Sequence, residues 1–175
     1  MSATDLIAPL PSLSRLRELL SYDPYTGNFH WLSGPGRGRP KASGRLAGCV
    51  AKHLGYRLIR VDGRLYYAHR LAWLMGHGRE SRLEIDHINC VRLDNRLSNL
   101  REATGSQNHA NVGLSSKNTS GLKGASWMPK RKKWRACISH NGKFIHLGHF
   151  DSKEEAHAAY LRASLKIYGE FARAA

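Results

Sequence analysis

Between residues 122 and 169 the order of turn, strand and helix signals admits few folds. Apolar and polar residues alternate in three short pieces, Gly124 to Met128, Trp134 to Ser139 and Phe144 to Phe150, separated by Pro129 to Lys133 and by Asn141-Gly142. Alternation with period two marks a half-buried strand, and Asn-Gly favours the tight hairpin turn whose central residues take positive φ. Asp151 or Ser152, with Glu154 or Glu155 at the complementary third position, starts a helix. Along it Ala156, Ala159, Tyr160, Ala163 and Ile167 recur at steps of three and four, and Gly169 is placed to end it. The expected architecture here is α+β, a three-stranded antiparallel sheet packed on one helix. Strand alternation puts Ala136, Ile138, Ile145 and Leu147 toward the helix. Ser126, Met128, Arg135, Cys137, Ser139, Phe144 and His146 then form the open face.

Charge says what such a face meets. The chain carries 28 Lys and Arg against 13 Asp and Glu, a formal net charge of +15, and its pI is near 10.2. A surplus of that size attracts polyanions, nucleic acid foremost. It is also uneven: from Ala103 to Phe150 there is no acidic residue, while Lys117, Lys123, Lys130, Arg131, Lys132, Lys133, Arg135 and Lys143 are basic. A basic β element of this size suits a DNA major groove, with Lys123, Lys130 to Lys133 and Lys143 on phosphates and Arg135, Ser126, Met128, Ser139, Phe144 and His146 at the bases. An anionic membrane would call for an amphipathic basic helix or a lipidation signal, and neither is visible. No apolar run reaches membrane-spanning length, and the first residues lack a secretory core, so an intracellular, cytoplasmic protein with no membrane partner is expected.

A second constellation lies upstream, in Glu84-Ile85-Asp86-His87-Ile88-Asn89-Cys90 and the residues that follow as far as Asn111. Neighbours on a strand point to opposite faces, so Asp86-His87 alone is weak evidence for a site. The downstream grammar strengthens it. Leu100 to Ala103 reads as a short second strand, and Thr104 stands three residues before Gln107, the capping-box spacing that opens a helix. Asn108 and Asn111 lie three apart on that helix and share a face. A carboxylate beside an imidazole suits metal-dependent phosphodiester chemistry: a hard cation offsets phosphate charge while a neutral histidine takes a proton from water.

The stretch from Tyr67 to Asn108 resembles the HNH endonuclease family of phage and intron type, through Tyr67-Ala68-His69-Arg70-Leu71, Asp86-His87-Ile88, Asp94-Asn95, Ser98-Asn99-Leu100-Arg101 and Thr104 to Asn108. The resemblance implies a ββα-metal core in which Asp86 and Asn108 hold a divalent metal and His87 is the general base. It makes Asn99 the central asparagine that fixes the loop and orients the histidine, and Asn95 a loop amide in support. Cys90 departs from the pattern, standing where the family commonly has glycine; only glycine enters positive φ cheaply. Carboxylate and amide oxygens favour Mg²⁺, with Mn²⁺ the alternative, over zinc. Cys49, Cys90 and Cys137 are widely separated, form no C-x-x-C pair, and indicate neither zinc knuckle nor disulfide framework. His69 is open to two readings, a packed histidine that supports the core or a direct contact to metal or phosphate.

The segment from Gly121 to Tyr160 resembles the AP2 DNA-binding domain, through Gly121-Leu122-Lys123-Gly124, Trp134-Arg135-Ala136-Cys137-Ile138, Leu147-Gly148-His149-Phe150 and Glu154-Glu155-Ala156-His157-Ala158-Ala159-Tyr160. That resemblance implies a sheet inserted into the major groove. Arginines of the plant domain are replaced by Ser126, Met128, Cys137 and Ser139, so a target sequence does not carry over.

Together these readings give a monomeric endonuclease acting on double-stranded DNA, of phage or mobile-element homing or nicking type. The rival is a non-catalytic AP2-type transcription regulator with a remnant HNH module; a binder of structured RNA is a third reading, disfavoured because the A-form major groove is too deep and narrow for a β face. Four segments are expected: an N-terminal extension over 1–65, the nuclease core over 66–112, a linker over 113–121 and the AP2-like domain over 122–175. Within the extension, Leu13 to Leu20 reads as a helix, Phe29 to Trp31 as a strand start, and Gly55 to Val61 with Arg64 to Tyr67 as a hairpin around Asp62-Gly63. Tyr66 to Trp73 reads as a helical run, and Ser33 to Gly48 as either a phosphate-binding or an ordinary solvated loop.

Overall fold

A computed structural model describes residues 9–32 and 44–174. Most of the Ser33 to Gly48 loop therefore lies outside the described residues. The chain divides into two compact units, Met1–Glu102 and Ala103–Ala175.

The first unit opens with helix α1 (Leu13–Leu19), started by the Ser12 hydroxyl, which accepts from the Arg15 amide. Its buried face, Leu16 and Leu19, leads into an antiparallel hairpin of β1 (Leu20–Asp23) and β2 (Asn28–Trp31). A second sheet follows in the order β3 (Cys49–Ala51), β4 (Tyr56–Val61), β5 (Arg64–Tyr67). Asp62 and Gly63, at φ 46° and 83°, form its tight turn, the geometry that matches strand twist. Helix α2 runs from Ala68 to His77 and stops at Gly78 in the left-handed region. Arg64 to Tyr67 form the hairpin strand expected of them, and the helical run read from Tyr66 starts at Ala68 because Tyr66 and Tyr67 pair with β4, at Ile59 and Leu58. One core joins Leu16, Phe29, Ile59, Val61, Leu71, Trp73 and Leu100, so the N-terminal elements and α2 fold as one body. Truncating the fully buried Phe29 to alanine would cost about 3–5 kcal/mol. Beyond α2, β6 (Glu84–His87) pairs with β7 (Leu100–Ala103), and the loop between them carries the site.

The second unit begins with α3 (Gly105–Asn111), whose Thr104 and Gln107 form the full reciprocal capping box. Its Ala110 packs with Ile138, Tyr160, Tyr168 and Phe171. The three-stranded sheet has the order β10 (Lys143–Phe150), β9 (Lys133–His140), β8 (Ala125–Met128), and Asn141-Gly142 closes the β9–β10 hairpin at φ 48° and 74°. Helix α4 (Lys153–Tyr168) starts with a second capping box, Ser152 with Glu155. It lies close to the sheet because Ala156 meets Ala125 and Ala136. A Cβ on Gly124 would fall 2.1 Å from the Tyr160 ring, so only glycine fits beneath that ring. Two details differ from simple alternation. Ile145 pairs with Ile138 yet is 40% exposed, since β10 is an edge strand. The register shifts between His146 and Gly148, and Leu147 at that bulge packs into both apolar clusters of the unit.

Candidate active site

Asp86 and His87 occupy the last two positions of β6 and are both buried. They meet different partners, as adjacent strand residues do. Asp86 Oδ2 accepts from Arg101 Nε of β7 at 3.0 Å, an ion pair shielded on both sides. A buried carboxylate needs such a counter-charge, and this one is a hard oxygen donor already sited where positive charge is held. A carboxylate oxygen of this kind suits a hard divalent cation. Among the described residues no three His, Cys, Asp or Glu side chains gather into a metal-binding group, and all three cysteines are free thiols.

His87 Nε2 lies 3.3 Å from Asn95 Oδ1. The Asn95 amide nitrogen donates to the Leu93 carbonyl, which fixes the amide so that its oxygen faces the ring. With the amide oxygen there, the tautomer that makes this hydrogen bond is the one protonated on Nε2. Burial holds the imidazole below its ordinary value, with Arg92 in the same direction; the Asn95 hydrogen bond and the charges of Asp86 and Asp94 act against it. Burial thus favours the neutral form of the ring at neutral pH.

The loop that carries Asn95 is stapled by Asn99. Its Oδ1 accepts from the Asn89 amide, and its Nδ2 donates to Asn89 Oδ1 and to the Asp94 carbonyl, while its carbonyl accepts from the Ile88 amide. Asn99 accordingly holds the loop, and the side chain that meets the imidazole is Asn95. Cys90 sits in this loop at φ 61°, the left-handed conformation that glycine adopts more cheaply.

His69 is a packed group. It is buried, stacks on Tyr67 and meets the His87 ring edge-on at 5.1 Å between centroids. Burial, followed by His87 and Arg70, holds it at about 3 against an ordinary 6.5. Tyr56 completes the aromatic group beside His87, and the Arg92 guanidinium lies 4.9 Å above its ring. Asn108 is half-buried on α3 in the second unit.

The second unit's open sheet face gathers Arg135, Cys137, Phe144 and His146 around a cavity of about 350 Å³. Phe144 is 82% exposed, and Arg135 Nε donates to Ser126 Oγ. Lys130, Arg131 and Lys132 stand exposed at the Pro129–Arg131 turn and its left-handed cap. Met128 is a half-buried strand end, Ser139 gives its carbonyl to Tyr168 Oη, and Lys143 is exposed beside the Asn141-Gly142 turn. Two expected phosphate contacts are engaged elsewhere. Lys123 Nζ donates to the Ala110 and Val112 carbonyls at the end of α3, 2.6 Å each, and Lys133 pairs with Asp151. Lys123 thereby caps the end of α3, which leaves those carbonyls without helical partners. A residue that alternation misses joins the face: the bulge shifts the register so that His149 pairs with Arg135, its ring 4.6 Å from that of His146.

Residues 66–110 match the family described as HNH endonuclease. Over 89 residues the chain is 38% identical to Protein 3.8 of Escherichia phage T7, a span of 51% of this chain and 73% of that protein. The chain belongs to the family of that phage protein. Its HNH endonuclease domain contains Asp86, His87, Asn95, Asn99 and Arg101, the group whose geometry is described above. No helix among the described residues is long and apolar enough to cross a membrane.

Proposed function

We propose that this chain is a metal-dependent endonuclease that hydrolyses phosphodiester bonds of double-stranded DNA, of phage or mobile-element nicking or homing type. The observation that carries this reading is the buried His87 imidazole, its Nε2 3.3 Å from Asn95 Oδ1, one residue from the buried carboxylate of Asp86. His87 Nδ1 takes the proton of a water molecule as that water's oxygen attacks phosphorus. The P–O bond to the 3′ oxygen breaks, and the leaving oxygen takes a proton from solvent. Asp86 would hold a divalent cation, Mg²⁺ by preference with Mn²⁺ the alternative, and the sequence motif assigns Asn108 as a further oxygen donor. When bound, the cation supplies charge neutralisation at the phosphoryl and leaving oxygens. Arg101, relieved of Asp86, is suited to a phosphate oxygen. The motif-based description of β6, β7 and α3 is a ββα-metal core.

The sheet of the second unit supplies the AP2-like DNA contact, with Arg135, Phe144, His146 and His149 toward the groove and Lys130 to Lys132 on phosphates. A formal charge of +15 favours the same partner. One site per chain makes the monomer a nicking enzyme, active in the cytoplasm of the host cell.

Supercoiled plasmid containing the flanking DNA, incubated with Mg²⁺ or with EDTA beside His87→Ala, tests the proposal. Metal-dependent relaxation that His87→Ala abolishes is expected; tight binding without cleavage in any divalent metal would favour the regulator instead. Arg135→Ala is expected to weaken DNA binding without changing metal binding, and equal affinity would remove the sheet from the interface.

A further inference from the structure

The turn from Tyr22 to Gly27 touches the backbone of the loop that carries Asn95 at three consecutive residues, 95 to 97. Tyr22 Oη donates to the Asn95 carbonyl at 2.8 Å. A Cβ on Gly27 would stand 2.5 Å from the Arg96 nitrogen and 2.5 Å from the Asn95 carbonyl carbon. The Leu97 amide donates to the Pro24 carbonyl at 3.0 Å. We infer that this N-terminal turn positions the catalytic loop, with Tyr22 and Gly27 as positioning residues that act on His87 through Asn95.

The turn is built to hold a fixed shape. Asp23 accepts from the Tyr25 amide and from the Thr26 hydroxyl, and its carbonyl accepts from the Gly27 amide. The Tyr22 ring lies 4.7 Å from that of Phe29, its cross-strand partner, and Phe29 is fully buried in the core. Burial raises the Tyr22 hydroxyl above its ordinary range, so it stays a donor. Asn99 and Asp94 secure the loop at residues 88–94, whereas the turn secures 95–97. The Asn95 side chain has little slack, being 1% exposed with a 3.3 Å bond to His87. A shift of a few tenths of an ångström at its backbone would break that bond and free the ring to change tautomer. Gly27, at φ 73°, allows the approach because no side chain stands between the two backbones.

This inference rests on the nuclease reading for its rate measurement, but not for its spectroscopic one. In the full chain, single-turnover nicking with Mg²⁺ is measured against protein concentration for the wild type, Tyr22→Phe, Gly27→Ala and Tyr25→Phe. Ring ¹⁵N signals of His87 are recorded for each. Tyr25 belongs to the same turn but is 86% exposed. Loss of one hydrogen bond predicts that Tyr22→Phe lowers the saturating rate about five- to tenfold. The half-saturating concentration should stay the same, while the His87 signals move toward mixed tautomers. Gly27→Ala should do the same more strongly, and Tyr25→Phe should match the wild type. In an Asn95→Ala background, Tyr22→Phe should cost nothing further, because the path runs through that side chain. A full rate for Tyr22→Phe, or an equal loss in both backgrounds, overturns the inference. If the wild type itself does not nick, the nuclease reading falls. The ring signals then decide alone, and unchanged His87 signals in Tyr22→Phe overturn the positioning role.

Discussion

Asn95→Asp changes the charge at His87 while keeping the side-chain volume. The substitution puts a carboxylate where an amide oxygen now lies 3.3 Å from His87 Nε2. In the wild type, burial holds the imidazole below its ordinary value, so the rate should rise with pH to a plateau reached below about pH 7. An opposite charge within about 4–6 Å raises such a group by about 1–3 units, each unit being about 1.4 kcal/mol. The sign is fixed by the role: His87 acts in its neutral form, so a raised value removes active enzyme at neutral pH and restores it only on the alkaline side. Asn95→Asp should therefore move the acidic limb upward by about 1–3 pH units, so that activity falls at neutral pH and returns on the alkaline side. Single-turnover nicking across pH at saturating Mg²⁺ measures this. An unmoved limb would refute a base held through Nε2, and so would a loss that no pH restores.

Arg101→Gln removes the guanidinium from the buried Asp86 carboxylate and should destabilise the metal-free protein by about 3 kcal/mol. Mg²⁺ should recover part of this, so thermal melts that shift equally in EDTA and in Mg²⁺ would count against cation binding at Asp86. Cys90→Gly relieves a left-handed residue at φ 61° and should stabilise by about 0.5–1 kcal/mol in urea denaturation, after subtracting the chain entropy of glycine; a destabilised variant would show that the thiol's packing outweighs the strain. His69, at about 3 when folded against an ordinary 6.5, favours the folded state fully above that ordinary value. Its contribution should fall by up to about 1.4 kcal/mol per unit as pH drops from 6.5 toward 3, a dependence that His69→Phe should flatten in denaturation at graded pH.

Features that depend on a few neighbouring residues were legible. The capping boxes at Thr104 and Ser152 and the turns at Asp62-Gly63 and Asn141-Gly142 appear at their expected positions. The three C-terminal strands differ from expectation by a residue or two at their ends. The helical run read from Tyr66 begins two residues later, at Ala68, because Tyr66 and Tyr67 pair with β4 in the hairpin also expected there. Likewise, nothing local announces the bulge near Leu147, which carries His149 onto the face of Arg135.

The site divides along the same line. The sequence by itself determined which chemical groups are present: a carboxylate, an imidazole and several amides at spacings that a strand, loop and strand can gather. Only the tertiary structure decided which amide holds the imidazole, that Arg101 faces Asp86, that Lys123 caps a helix, and that Tyr22 reaches the Asn95 carbonyl across 73 residues of chain. The reason is physical. Capping and turn formation are settled within four or five residues by backbone geometry, whereas a directional hydrogen bond or a buried ion pair between distant residues exists only after the core has fixed both partners to within a fraction of an ångström.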